Sequence, residues 1–343
     1  QQDSRNPLAI FYCSKGLGSI LSILRKEQVI NSLITTIMKL GIPKGLLYYK
    51  YHPFFNTFFT ELGAEIITSE DTNKKILDEG VSCSVDEACL PIKIFHGHVS
   101  SIKNKCNIML IPRIMQLKRR EYICPKFCGL PEMVINSIKD MPQTITEPIY
   151  AFSDNKLYKW ALESGKYITN DKFKILNAFI NALSVQKKYK TGINNEKYEI
   201  NVALAGHPYN IYDSYINMNI VKKLNSLGVG VITEEFTDNE IKNYQIKKLY
   251  KKPFWTFTRN NFGFAVNASE INTVDGIIYI SSFNCGIDSV TVELIKHEIN
   301  DFPFLILKID EQTGEAGLDT RIEAFADLLE RRNLNENNIS THG

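Results

Sequence analysis

The chain lacks the features that most directly assign a protein to a class. Its 40 basic and 38 acidic side chains give a formal net charge of +2, so the charge balance does not indicate a nucleic-acid or membrane surface. No apolar run reaches the roughly 18 residues of a membrane-spanning helix. Residues 1–37 contain apolar patches but not the ordered charged, apolar and cleavage regions of a signal peptide. We therefore expect a globular protein that works in the cytoplasm.

Short motifs for nucleotides and metals are also missing. The sequence has no G-x-x-x-x-G-K-[ST] phosphate loop and no G-x-G-x-x-G dinucleotide fingerprint. An ATPase that acts with this chain must then be a separate polypeptide. No C-x2-C pair occurs, which excludes a zinc ribbon or a ferredoxin-type run. Any metal site has to be assembled from distant positions.

The cysteines are odd in number and widely spaced in a chain of 343 residues. This pattern is typical of a reducing compartment and argues against a disulfide framework. The seven cysteines are Cys13, Cys83, Cys89, Cys106, Cys124, Cys128 and Cys285.

Short apolar runs alternate with longer amphipathic ones along most of the chain. Such a βαβ rhythm predicts parallel sheets covered on both faces. The rhythm runs through 38–150, gives way to helical patterns at 151–197, and restarts over 198–335. We predict two doubly wound parallel-sheet α/β domains separated by a helical middle segment. Residues 1–37 are an extension that says little about the fold.

Ligands of open parallel sheets bind beyond the carboxyl ends of the strands, which singles out some of the cysteines. Cys285 follows the predicted strand GIIYISSF, Cys124 lies in the loop after NIMLIPR, and Cys89 lies between the second and third strands. His207 stands at the end of another strand, at the edge of the same crevice. Taken singly, each cysteine could equally be a small buried hydrophobic residue.

Several motifs, in order and spanning about 38–332, resemble a known family. The chain is similar to the activase-associated, D-component-like relatives of the 2-hydroxyacyl-CoA dehydratases. That resemblance implies a pair of flavodoxin-like α/β units with a metal cluster between them. The motifs that carry it are DEACLPIKIFHGH, IPR, EYICPKFCGLP, GHPYNIYD, SFNCGIDS and DEQTGEAGLDTRIEAF.

The resemblance further implies that Cys89, Cys124 and Cys285 are thiolate ligands of a [4Fe–4S] cluster. Larger double-cubane clusters in related proteins use more cysteines, so three matched cysteines favour the single cubane. Cys128 stands where relatives often have an aliphatic residue, and it could be a further ligand. Three thiolates would leave one iron open to water or substrate.

The function implied is an iron–sulfur component, sensitive to oxygen, that receives low-potential electrons from a separate ATP-hydrolysing activator. It would pass them to a substrate such as an acyl-CoA, as part of a dehydratase-like lyase or a reductase. His207, Glu87 and Glu315 are candidates for handling substrate or protons. Two alternatives remain open: a non-catalytic electron-transfer or scaffold partner, and a cluster-free α/β binding module.

Overall fold

Two parallel four-stranded sheets organise the chain. The computed structural model describes residues 38–195 and 197–340, with side chains up to residue 334; the predicted extension at 1–37 lies outside the described residues. Every pairing between the strands is parallel. The predicted fold class, two doubly wound α/β units, is confirmed. No helix of the described ranges is long and apolar enough to cross a membrane.

The first sheet has the strand order β2-β1-β3-β5. A separate parallel pair, β4 with β6, follows these strands along the chain. The strands are β1 (Lys39–Ile42), β2 (Glu65–Thr68), β3 (Ile108–Leu110), β4 (Arg113–Gln116), β5 (Gln143–Ile145) and β6 (Pro148–Tyr150).

The second sheet has the order β10-β9-β7-β8. Its strands are β7 (Ile200–Gly206), β8 (Val229–Ile232), β9 (Gly276–Ser282) and β10 (Phe304–Ile309). In both sheets the earliest strand lies between the next two, which is the flavodoxin-like arrangement. The crevice expected for a ligand therefore lies beyond β1 and β3 in the first sheet, and beyond β7 and β9 in the second.

Helices connect the strands and cover the sheets. Those that come before β7 are α1 (Tyr48–Glu61), α2 (Lys74–Cys83), α3 (Leu90–Ile102), α4 (Pro125–Cys128), α5 (Leu130–Ser137), α6 (Asp154–Gly165) and α7 (Lys172–Lys188). Those that follow are α8 (Pro208–Tyr212), α9 (Ile220–Ser226), α10 (Asn239–Lys248), α11 (Thr256–Glu270), α12 (Gly286–Ile299) and α13 (Glu315–Ser340), with a 3₁₀ turn at Glu234–Phe236.

The second sheet is buried on both faces. Along β7, Val202 and Leu204 belong to one hydrophobic cluster, whereas Ala203 and Ala205 belong to another. Because side chains alternate along a strand, the two clusters occupy opposite faces of the sheet. The first cluster also contains residues of α2, α3, α9 and α13, and the second contains residues of α11 and α12. Helices from the first half of the chain thus help to cover the second sheet.

The middle segment is helical, as predicted, and packs on the first half. Helix α7 lies along α1, and Trp160 of α6 with Phe179 of α7 joins the hydrophobic core of the first sheet. Trp160 lies 5.6–6.2 Å, centroid to centroid, from the rings of four α1 phenylalanines. The domain boundaries near 150 and 198 stay predictions.

The amphipathic run YDSYINMNIVKKLNSLG (212–228), with its terminal glycine, predicts one continuous helix, and this prediction is wrong in extent. Residues 212–228 form two separate pieces, with α8 ending at Tyr212 and α9 beginning at Ile220. The Asp213 carboxylate accepts hydrogen bonds from the backbone N–H groups of Tyr215 and Ile216, and this local pairing competes with a continuous helix. Left-handed backbone at Met218 (φ 51°) and Asn219 (φ 57°) completes the break.

Helices α2 and α3 touch backbone to backbone. A Cβ atom added to Gly80 would lie 2.0 Å from the Lys93 carbonyl oxygen, and one added to Gly97 would lie 1.9 Å from the Ile76 carbonyl oxygen. Neither contact involves a side chain that could move aside. The crossing therefore fixes the position of α3 relative to α2. It also fixes the position of Cys89, which comes immediately before α3.

We expect Gly97→Ala to lower the free energy of unfolding by about 2 kcal/mol or more, since overpacking against backbone forces the helices apart. Gly317→Ala is the matched control, because nothing lies within 4 Å of a Cβ added there and alanine favours a helix. Urea unfolding followed by circular dichroism measures both. Equal stabilities for the two variants would contradict the close crossing.

A buried polar network joins the two halves. His98 of α3 contacts Ser69 Oγ through Nδ1 at 2.8 Å and Thr72 Oγ1 through Nε2 at 3.0 Å, and Thr72 donates to the Asp213 carboxylate. Burial, with a smaller contribution from the Lys44 ammonium, lowers the pKa of His98 to about 3. His98 is therefore a neutral, hydrogen-bonded core residue.

The low pKa of His98 predicts a pH dependence of stability. Below the ordinary histidine pKa of 6.5, the unfolded chain binds a proton that the folded chain does not bind. The stability that neutral His98 contributes is therefore fully present above pH 6.5. This contribution falls by about 1.4 kcal/mol for each pH unit as the pH decreases towards 3. His98→Gln should flatten this slope by about one proton, measured by urea unfolding between pH 6.5 and 4.5. His297→Gln, at an exposed position, should leave the slope unchanged. A slope that flattens in His297→Gln but not in His98→Gln would contradict the assignment of the pH dependence to His98.

Candidate functional site

Four helices begin at residues singled out by the sequence. Cys89, Cys124, His207 and Cys285 are the N-cap residues of α3, α4, α8 and α12, and none of these side chains caps its own helix. Proline follows within the first two positions of α3, α4 and α8. Proline is tolerated there because the first N–H groups have no partner within the helix. The four side chains are therefore free for other contacts.

His207 is placed by the end of β7. Gly206 has φ 148°, and a Cβ there would lie 2.5 Å from the Ile280 carbonyl oxygen of the neighbouring strand. The Asn261 side-chain amide clamps this residue, since its Oδ1 accepts from Gly206 N at 3.2 Å and its Nδ2 donates to Gly206 O at 3.1 Å. The strand end is thus held rigidly, and the next residue, His207, is buried.

Cys285 is placed by a tight turn after β9. Its N–H donates to Ser282 O at 3.1 Å, and Asn284 within the turn has φ 61°, a conformation that asparagine adopts more readily than most residues. Ser282 Oγ also donates to Asn210 Oδ1 at 3.0 Å. This bond ties the turn to α8, which begins at His207.

The three predicted ligand cysteines lie close enough to influence one another. Burial raises the pKa of the Cys124 thiol, with a further increase from the charge of Cys89. The pKa of Cys285 is raised strongly, first by burial, then by the charge of Asp288, and further by Cys89 and Cys124. Positions far apart in sequence thus converge on one region, in which accumulated thiolate charge is unfavourable.

Backbone N–H groups lower the pKa values of two of these thiols, which opposes the effect of burial. The N–H of Lys126 lowers the pKa of Cys124 in part, and the N–H of Asp288 does the same for Cys285. Both N–H groups belong to the first turns of α4 and α12, which favour negative charge. The site is therefore arranged to accept some negative charge, but not that of three unneutralised thiolates.

A second group of ligand-type atoms surrounds Cys285. One ligand atom each from His207, Cys285 and Asp288 lies within 4.8 Å of the other two. His207 Nδ1 is 2.9 Å from Asp288 Oδ1, and the Tyr279 hydroxyl donates to the same carboxylate oxygen at 2.7 Å. Cys89 and Cys124 are not part of this compact group.

Tyr209 is a member of the site that the sequence reasoning missed. It is buried, its ring stacks on His207 at 5.0 Å, and it lies 6.2 Å from the ring of Phe127 on α4. Burial, with the charges of all three cysteines and Asp288, raises the pKa of its hydroxyl. The only sequence signal for Tyr209 was its place two residues after His207, at the end of β7. An aromatic residue at such a position is usually a member of the hydrophobic core.

The other predicted residues lie elsewhere. Cys128 is exposed at the end of α4, and Glu87 is exposed in the loop before α3. Glu315 forms an exposed ion pair with Lys223 at 2.6 Å. Their functional roles stay predictions.

A pocket of about 330 Å³ opens between α2, the segment before α9 and the loop after β10. Leu90, the residue after Cys89, forms part of its wall, and Glu311 in the same wall pairs with the buried Lys93 at 2.5 Å. Carboxylates dominate the charged residues of the lining, so the pocket suits a neutral or cationic group. The charged lining residues are Lys74, Asp310, Glu311 and Glu315.

The raised pKa values predict unequal thiol reactivity in the iron-free protein. Since the thiolate is the reactive form, Cys285 should react with iodoacetamide at pH 7 at least about tenfold more slowly than the exposed Cys128. Peptide mass spectrometry distinguishes the two positions. The Cys285 rate should rise steeply towards alkaline pH. Faster labelling of Cys285 than of Cys128 would contradict a protonated, partly buried thiol at Cys285.

A protein-family model matches the first part of the described chain. The family model described as "CoA enzyme activase uncharacterised domain" matches residues 39–237, more than half of the chain. The matched segment contains Cys89, Cys124 and His207, whereas Cys285 and Asp288 lie beyond it. No curated protein matches the chain.

Proposed function

The chain belongs to the CoA enzyme activase uncharacterised domain family, and on this premise we propose that it is an iron–sulfur protein that works with a separate ATP-hydrolysing activator. Within that family we place it with the relatives of the D component of 2-hydroxyacyl-CoA dehydratases. It would receive low-potential electrons from the activator and pass them to a substrate. Cys89, Cys124 and Cys285 would hold a [4Fe–4S] cluster.

The observation that carries this proposal is the mutual influence of three thiols from distant segments. Each pair among them contributes to a raised pKa, so the apo site resists holding three thiolates. Metal ions remove this obstacle, because they bind the deprotonated sulfur and supply positive charge. A nucleophilic cysteine instead requires a lowered pKa. The thiols therefore fit ligands better than nucleophiles.

The surroundings also suit a cluster. A bound cubane would supply one-electron chemistry at low potential. The chain would supply thiolates, backbone N–H groups at the starts of α4 and α12, and a wall of buried aromatic rings from Phe127, Tyr209 and Phe257. Hydrogen bonds to sulfur and exclusion of water are the means by which a protein adjusts such a potential.

A substrate could approach through the pocket beside Leu90. Because its lining is rich in carboxylates, we do not expect it to bind the phosphate groups of coenzyme A. The pocket suits the acyl end of a thioester, or a small uncharged substrate. Whether the chain transforms this substrate or only transfers electrons depends on what binds there.

Iron analysis tests the proposal directly. Anaerobically reconstituted protein should hold about four iron and four sulfide per chain and give an EPR signal on reduction. Cys285→Ala should abolish iron binding while keeping the circular dichroism spectrum, because it removes one ligand rather than a core layer. Cys106→Ala is the matched control, since that thiol donates to the Ile102 carbonyl oxygen at 3.4 Å and lies in the loop between α3 and β3.

Two results would contradict the proposal. Reconstituted wild type without iron would leave the cluster-free binding module as the better interpretation, and a full cluster in Cys285→Ala would refute the ligand set. Retained cluster in Cys128→Ala would show that Cys128 is not needed. A cluster that is reduced but never reoxidised by any acyl-CoA would favour the electron-transfer or scaffold role.

A further inference from the structure

We infer that His207, Cys285 and Asp288 form a site for a single divalent transition-metal ion, with one nitrogen, one sulfur and one oxygen ligand. This inference goes beyond the cluster proposed above, because it uses Cys285 without Cys89 or Cys124. Since Cys285 belongs to both groups, the single ion and the cluster are alternative occupants of the same crevice. The single ion would bind when no cluster is present.

The geometry fits one ion rather than a cluster. The three ligand atoms lie within 4.8 Å of one another. Zinc bonds to sulfur, nitrogen and oxygen are about 2.0–2.3 Å long, which places the ligands of one tetrahedral ion about 3–4 Å apart. A small movement of side chains would bring all three atoms to that spacing.

Two of the ligand groups have atoms that lack a partner. His207 is 2% exposed and Asp288 is 0% exposed, so water does not satisfy them. His207 Nδ1 lies 2.9 Å from Asp288 Oδ1, yet within the described residues neither Nδ1 nor Asp288 Oδ2 has a hydrogen-bond partner. Buried polar groups are normally paired, and a cation held between the imidazole and the carboxylate would pair both.

The groups behind these ligands hold them in place. Tyr279 donates to Asp288 Oδ1 at 2.7 Å, which leaves Oδ2 free for a metal. The His207 ring is stacked on Tyr209 and meets the edge of Phe257 at 5.5 Å. Such outer contacts orient the ligands of protein metal sites.

The donor set indicates the kind of ion. A thiolate, an imidazole and a carboxylate suit Zn²⁺, Fe²⁺ or Co²⁺, whereas Mg²⁺ and Ca²⁺ prefer oxygen ligands only. Three protein ligands leave a fourth tetrahedral position for water or a substrate oxygen, as in catalytic zinc sites. We therefore expect the site to bind a small oxygen-containing ligand through the ion.

Cobalt titration of the full-length, cluster-free chain under anaerobic conditions tests the site. One equivalent of Co²⁺ should bind and give a thiolate-to-cobalt charge-transfer band together with intense tetrahedral d–d absorption. Cys285→Ser should remove the charge-transfer band. His207→Gln and Asp288→Asn, which keep side-chain shape, should each weaken binding at least about tenfold. Cys89→Ser/Cys124→Ser should leave the band and the affinity unchanged.

The same experiment separates this site from the cluster. Failure of the wild type to bind cobalt would overturn the inference, and so would loss of the band in Cys89→Ser/Cys124→Ser with retention in His207→Gln. The latter result would place the ion on the three cysteines. Iron and sulfide analysis of the same variants reports on the cluster alone. Thermal unfolding of each variant identifies any that bind no metal because they fail to fold, and a second substitution, His207→Asn, then replaces His207→Gln.

Discussion

The site depends on one constraint, the meeting of helix beginnings where the two sheets end. A helix begins with N–H groups that have no partner within the helix and carry partial positive charge. Cys89, Cys124, His207 and Cys285 each stand at such a beginning. His207 and Cys285 directly follow β7 and β9, so the carboxyl edge of the second sheet brings these two residues together, whereas Cys89 follows α2 and is placed by the close crossing of α2 and α3. The chemistry follows from which side chains occupy the positions.

The two halves stay together through charges as well as core contacts. Burial opposes ionisation of Glu235, but the Lys50 ammonium at 2.8 Å outweighs burial and lowers the pKa of Glu235. Lys50 belongs to α1 and Glu235 to the turn after β8. Breaking a buried pair costs about 3–5 kcal/mol, although the intact pair adds little net stability. Such pairs therefore fix the arrangement of the halves more than they stabilise the fold.

Much of this architecture is predictable from sequence, and the failures have a common cause. The strands are predictable as short apolar runs, since the second sheet is buried on both faces, whereas the amphipathic helices are predictable because one face of each is polar. Helix α3 was not recognised, since the run from Leu90 to Val99 is buried throughout and has no polar face to set a helical period. Helix α11 is similar, with Asn261 buried because it binds the backbone of Gly206. The 212–228 segment failed because the side chain of Asp213 pairs with the local backbone.

The candidate site was predictable only in part. The cysteines could be named because they follow strands and because their motifs resemble a family, whereas their convergence depends on the packing of two sheets. In the sequence, Asp288 suits the capping of the helix that follows Cys285, but it is the third residue of α12 and its carboxylate contacts Tyr279 and His207. A carboxylate at that position is ordinary in a sequence. Only the fold reveals that it is fully buried.

The charges of the cysteines and of Asp288 decide how readily the site would bind a metal ion. In the apo protein, the thiols of Cys124 and Cys285 remain protonated at neutral pH because burial and mutual repulsion raise their pKa values. Binding of a metal ion releases these protons, so affinity should grow with pH until the thiols ionise by themselves. The carboxylate of Asp288 adds a further negative charge beside Cys285, which opposes a free thiolate and strengthens attraction for a cation. The same burial that makes these cysteines poor nucleophiles would therefore make any metal binding at this site depend on pH.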